Sequence, residues 1–424
     1  METKFSEHVR QPIRELAFGW LWRAEPSARR ALLAASLGWM LDSFDVMLYS
    51  MVLTSLMGSL GMSTATAGIL ACVGLLAASV GGVVFGVVAD RYGRVRALIA
   101  SVLIYAIFTG ACGLATSVLE LAIFRLLLGL GMGGEWASGA ALVSETWPSH
   151  VRGKALALMQ SSFAIGYALA AIVTAVVMPI GGWRSVFFVG VLPAFITLWI
   201  QRSVDEPAAW TEARESSRPL LSGIAEIFQA PLRGVTLAVM AMHACCMFAW
   251  WGFNLWLPAF YSLEVAKGGV GLSVGRMAIL IVTMQVGMWF GYVTFGYVSD
   301  AIGRKPAYVM YLLAAGALLL AFSRVRSLWL LLALGPLVAF FGTGYYSGFG
   351  TVTAEIYDTR IRATAQGLTY NAGRTVSAAA PYIVGSFAQN HGFRDSFMLV
   401  ATLFLLASVF WVWIPETIHR EARP

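Results

Sequence analysis

The chain carries the same charged turn twice, at a constant offset of 210 residues. Gly86-x-x-x-Asp90-Arg91-x-Gly93-Arg94 recurs as Gly296-x-x-x-Asp300-x-x-Gly303-Arg304. The register extends beyond the turn. Glu145 and Arg152 map onto Glu355 and Arg362, and Gly182-Trp183-Arg184 maps onto Gly392-Phe393-Arg394. Two homologous halves are therefore encoded, and each must repeat one design of apolar stretches joined by a charged turn. In membrane proteins such repeats build two bundles that rock against one another around a site at their interface.

The stretches between the turns are long enough to cross a bilayer, which takes about 20 apolar residues in a helix. In the first half they lie at 31–56, 66–89, 97–116, 119–144, 155–179 and 184–202. The second half supplies 234–261, 274–298, 307–323, 328–354, 365–388 and 395–414. Only 12% of residues are charged, against about 25% in an ordinary soluble domain. The expected fold class is an all-α membrane protein of twelve transmembrane helices in two pseudo-symmetric six-helix bundles. The expected boundaries are a tail at 1–30 with an interfacial helix near 13–22, a bundle at 31–203, a linker at 204–232 with a short surface helix near 220–228, a second bundle at 233–415, and a tail at 416–424.

The net charge of +7 does not point to nucleic acid, because the basic residues are sorted by side. With the N-terminus inside, cytoplasmic segments hold 21 of the 29 Lys and Arg, and outer loops hold six. This asymmetry follows the positive-inside rule, so both termini are expected in the cytoplasm of a bacterial-type inner membrane. No cleavable signal is expected, since no short apolar core with a small-residue cleavage site follows the charged leader. Cys72, Cys112, Cys245 and Cys246 all lie in apolar stretches and read as small buried hydrophobes. The Trp and Phe residues read mostly as lipid-facing or interfacial anchors.

The repeated turn resembles the signature loop of the major facilitator superfamily, and Arg125-x-x-x-Gly129-x-Gly131 resembles that superfamily's second motif. The strings Gly133-Gly134-Glu135-Trp136 and Glu145-Thr146-Trp147-Pro148-Ser149-His150-Val151-Arg152 resemble proton symporters for sialic acid and for lactate or pyruvate. Asp42-Ser43-Phe44-Asp45 resembles the Asp-Gly-x-Asp of aromatic-acid symporters, with Ser43 where those carry Gly. The resemblance implies alternating access by a carrier, with no enzymatic activity and no cofactor. It also implies a gating role for Asp90, Arg91, Gly93, Arg94, Glu145 and Arg152 and for their counterparts Asp300, Gly303, Arg304, Glu355 and Arg362. In that fold Asp90 is expected near the start of span 11, where a helix N-terminus favours an anion, and Arg94 is expected to pair with Glu145. The Gly-Pro signature of drug antiporters is absent from 160–171, which favours uptake. Gly129-x-Gly131-x-x-Gly134 matches a dinucleotide fingerprint in letters only. No strand precedes it, and such glycines let helices approach closely.

The functional reading rests on ionisable residues inside apolar stretches, where a charge costs about 2.5–3.5 kcal/mol on insertion scales. Asp42 and Asp45 are three apart in span 1 and share a face. Arg125 and Glu135 lie in span 4, and Arg374 in span 11. Arg374 has no acid nearby on its own helix, and its planar fork matches a carboxylate. It is the expected substrate anchor, with Asn371, Gln285, Asn254 and Tyr345 as neutral hydrogen-bonding neighbours. The alternative is a permanent ion pair with Asp42, Asp45 or Glu135. Those three acids, with Arg125, are the proton-coupling candidates. Desolvation and a second carboxylate are what bring a carboxyl toward a neutral switching range, and such a pair titrates as a unit. The sequence thus predicts a carrier, monomeric as a functional unit, that takes up a small organic monocarboxylate with a proton across the lipid bilayer. The alternatives are an organic cation or a neutral sugar as cargo, or a sensor that does not transport.

Overall fold

In the computed structural model, residues 19–192, 194–204, 206, 226–357 and 362–417 are described. Among them all regular structure is helical. Nine helices are long and apolar enough to cross a bilayer, and Val118–Thr146 adds another. Two of the nine, Val151–Val189 and Ala365–Val412, are too long for one crossing at 39 and 48 residues. Ser149–Val189 breaks at Gly182, with φ 68°, and Ala380–Val409 breaks at Gly392, with φ 80°. Each glycine occupies the left-handed region that a residue with a Cβ disfavours, and each turns one span directly into the next. The twelve spans follow, and the two breaks stand 210 residues apart.

Span 1 is Pro26–Leu60, span 2 Thr64–Tyr92, span 3 Arg94–Cys112 and span 4 Val118–Thr146. Spans 5 and 6 meet at Gly182, and span 6 continues through Ala194–Ser203. Spans 7, 8 and 9 are Leu232–Ser262, Val274–Ile302 and Arg304–Phe322. Span 10 is Leu328–Thr343 followed by a 3₁₀ segment, Gly344–Gly348, and the helix Phe349–Ile356. Span 11 is Arg362–Ser377, continued from Ala380 to the break at Gly392, where span 12 begins.

Within the halves, span 1 packs on span 5, span 2 on span 4, span 7 on span 11 and span 8 on span 10. The halves meet where span 5 lies along span 8, span 2 along span 11, and span 1 against span 7. The first two contacts exchange under the internal repeat. The glycines of the false dinucleotide motif do packing work. A Cβ on Gly129 would strike the Gly74 carbonyl of span 2, and one on Gly134 would strike the Phe85 ring.

Most of the expected interfacial helix at 13–22 lies outside the described residues. Its end, Gly19–Arg23, is helical, and Trp20 meets the Trp147 ring edge-on at 5.2 Å. The expected surface helix near 220–228 also falls largely outside the described residues.

Candidate functional site

A cavity lies between the halves near mid-span. Trp39, Asp42 and Val46 of span 1 line it, with Leu75, Met132, Gln160 and Phe163 from the rest of the first half. The second half contributes Met247, Trp250, Trp251, Tyr292, Tyr346, Tyr370 and Arg374. Helical periodicity explains which side chains arrive. Residues 39, 42 and 46 share one stripe of span 1, and 370 and 374 one stripe of span 11. Asp42, 2% exposed, thus comes from one half and Arg374 from the other. Both line the cavity, but no ion pair within 4.0 Å joins these two residues.

The other acids stand behind the wall. Asp45 is turned about 100° from Val46 and is buried beside Gly190, where a Cβ would come within 3.0 Å of its Oδ1. Glu135 is fully buried, its carboxylate set in the space left by Gly38. Both acids have carboxylate oxygens with no hydrogen-bond partner among the described residues. Arg125 is placed otherwise than the sequence suggests. Its guanidinium lies 3.9 Å from the centroid of the Tyr49 ring, and its Nε donates to the Leu70 carbonyl at 3.4 Å. A desolvated cation over an aromatic face is stabilised by the ring quadrupole, and this contact holds Arg125 without an acid.

None of the four expected neutral neighbours of Arg374 lines the cavity. Asn371 is rotated one residue away and donates to the Gly367 carbonyl at 2.9 Å. Gln285 and Asn254 lie on the right stripes, seven residues before Tyr292 and seven after Met247, but there the halves are in contact. Asn254 Nδ2 meets Met47 Sδ at 3.8 Å. Tyr345 is buried at the 3₁₀ segment, where the tighter turn sends Tyr346 to the cavity in its place. Trp39, Tyr292, Tyr346 and Tyr370 were not singled out from sequence, because nothing local separates a cavity aromatic from a belt or core aromatic.

The two rims differ in chemistry. At the rim bearing the repeated turns, Arg94 pairs with Glu145 at 3.0 Å, and Arg304 pairs with Glu355 at 2.8 Å and with Asp300 at 2.5 Å. Gly93 and Gly303 have φ of 117° and 102°, and a glutamate caps the helix after each. Glu206 accepts from the Val95 and Arg96 amides. Glu416 accepts from the Arg304 and Lys305 amides, both at 3.0 Å. Glu206 and Glu416 are again 210 apart and were missed in the sequence. All these pairs lie within one half, so each staples its own rim and none bridges the halves. The side chains of Asp90, Arg91 and Arg362 lie outside those described. Arg152 is exposed, with its Nε 3.4 Å from the Trp147 carbonyl.

At the opposite rim the halves are joined by uncharged hydrogen bonds. Ser50 donates to the Leu255 carbonyl at 2.5 Å, Thr54 and Ser262 share a bond at 2.8 Å, and Thr64 donates to Gln389 Oε1 at 3.2 Å. Pro258 lies inside span 7 and cannot donate to the carbonyl four residues back. That carbonyl belongs to Asn254 and accepts instead from the Tyr167 hydroxyl of the other half at 3.4 Å. This rim is closed. Ser50→Ala should weaken it by one hydrogen bond, multiplying the open-to-closed ratio by about fivefold. Spin labels at the exposed positions Ser59 and Val265, in a background without the four native cysteines, would report a growing longer-distance component. An unchanged distance distribution would show that the bond does not hold the rim.

The sequence matches the family model described as Major Facilitator Superfamily over residues 35–275 and 261–424. It is 32% identical to a probable 4-methylmuconolactone transporter of Cupriavidus pinatubonensis, covering 94% of this chain and 93% of the relative. It is 32% identical to the sialic acid transporter NanX of Escherichia coli, covering 96% and 99%. Among solved structures, a D-xylose-proton symporter superposes with a TM-score of 0.74 over 92% of this chain and 98% of that one, at 21% identity. That last likeness concerns the fold alone.

Proposed function

The chain belongs to the Major Facilitator Superfamily, and from that premise we propose that it is a proton-coupled carrier that takes up a small organic monocarboxylate by alternating access. One observation carries the reading. Among the described residues lining the cavity, one cation, Arg374, and one acid, Asp42, come from opposite halves, and the rest are uncharged and largely aromatic. The names of the two relatives above, one of them a sialic acid transporter, support an organic acid as cargo.

The charge balance suggests the coupling. With the cavity empty, Asp42 and Arg374 offset one another. A substrate carboxylate on Arg374 adds a second anion to the same apolar space, and an uncompensated charge there is costly. A proton taken up by Asp42, or relayed to Asp45 or Glu135 behind it, restores neutrality. The loaded cavity can then pass between the two access states. In this reading the charged rim faces the cytoplasm, as the distribution of Lys and Arg suggests, and the closed rim faces outward. Rocking the halves apart at that rim would carry Asn254 and Gln285 into the cavity wall.

The test is uptake into proteoliposomes of labelled lactate, pyruvate, benzoate, sialate, glucose and choline, with and without an inward proton gradient. Gradient-stimulated uptake of an acid, abolished by a protonophore, is expected. Uptake of choline or glucose alone would overturn the assignment of Arg374 as anchor.

A further inference from the structure

The polar groups of the cavity fall into two sets, and only one of them is charged. Asp42 and Arg374 form the first. The second is a group of phenols brought together by spans 8, 10 and 11. Tyr292, Tyr346 and Tyr370 all line the cavity. Gln160, from the other half, lines it too. The 3₁₀ segment positions Tyr346, whose ring stacks on Tyr345 at 5.1 Å and meets Phe349 at 4.9 Å. The Tyr346 hydroxyl is buried and has no hydrogen-bond partner among the described residues. A buried polar group in that condition is normally satisfied by water or by a ligand.

We infer that Gln160, Tyr292 and Tyr346 form a second subsite, which reads an uncharged hydroxyl on the carboxylate held by Arg374. The inference rests on the reading of Arg374 as the anchor. Phenols and an amide can both donate to and accept from a hydroxyl. They cannot neutralise a second carboxylate, and Arg374 is the one cation among the described residues lining the cavity, so a dicarboxylate would bury an unpaired charge. Trp39, Phe163 and Trp251 line the same cavity, with Phe163 meeting Trp39 at 5.4 Å and Trp251 at 6.4 Å. Flat ring faces stack well against such walls. The preferred cargo is therefore a planar, ring-bearing monocarboxylate that also carries a hydroxyl.

Thermal-shift titration of the purified full-length protein would compare benzoate, 3-hydroxybenzoate, 4-hydroxybenzoate and terephthalate, since a ligand that binds the folded state stabilises it by RT ln(1 + [L]/Kd) and so raises Tm more the tighter it binds. At least one hydroxybenzoate should bind about fivefold to tenfold more tightly than benzoate, the range expected for one added hydrogen bond, and terephthalate should bind most weakly. Tyr346→Phe should bring the ratio of hydroxybenzoate to benzoate affinity, both measured on that variant, down to about one. Tyr292→Phe serves as the second variant if the first does not fold. Equal binding of benzoate and both hydroxybenzoates, or a preference that survives both variants, would overturn the subsite while leaving Arg374 as anchor. Failure of every acid to shift Tm would overturn both readings together.

Discussion

Proton-driven uptake should fall by about tenfold to a hundredfold when Arg374 is replaced by lysine, the loss expected when one charge-assisted hydrogen bond of about 1.5–3 kcal/mol is removed. Lysine keeps the charge in the cavity, so the electrostatic attraction to an anion survives. It loses the planar fork that holds both carboxylate oxygens at once. Arg374 comes from span 11 and faces Asp42 of span 1 across the cavity, so the anchor lies on the surface along which the halves move. Replacement by alanine should abolish uptake, because Asp42 is then left facing the substrate carboxylate with no cation between them. Initial rates in proteoliposomes would decide the matter. Near-normal uptake by Arg374→Lys would remove Arg374 from the substrate and leave it a structural partner of Asp42.

Asp42→Asn should produce a different defect. The amide is close in shape and permanently neutral, so it imitates the protonated acid in the loaded carrier. Substrate should still cross in both directions, and counterflow between equal concentrations should stay within about twofold of the unaltered protein. Accumulation against a gradient should disappear, because no proton is then bound and released in each cycle. Loss of counterflow as well would mean that Asp42 serves to hold Arg374 in place. The same pair of assays on Asp45→Asn and Glu135→Gln would rank the acids behind the wall, which have no direct face on the cavity.

The fold was legible because charge is scarce in this chain. With only 12% charged residues, every Arg, Asp and Glu stands out against an apolar background, and the 210-residue offset ties them into two halves. Asp42 and Arg374, which face each other in the cavity, were visible for the same reason. The aromatic wall was not, since the sequence holds 15 Trp and 25 Phe and lipid, core and cavity all accept them. The confusion of Tyr345 with Tyr346, and of Asn371 with Tyr370, has one cause: a single residue turns a side chain by about 100°. For span 10 the 3₁₀ segment shifts the register further, and no regular helical pattern would reveal that. Gln285 and Asn254 were placed on the correct stripes, but a periodicity argument carries no information about which rim is closed. Glu206 and Glu416 could have been found by carrying the repeat register to the ends of the halves.

Those two glutamates have a consequence for how the molecule could be divided. Glu206 caps the first half before the segment 207–225 begins, and Glu416 caps the second half close to the end of the chain. Among the described residues, each half thus owns a latch, a glycine turn and a cap of its own. A cut anywhere in 207–225 would leave these described sets whole on two separately translated polypeptides. One covalent chain delivers the two halves to the membrane in a one-to-one ratio, which separate synthesis would not guarantee.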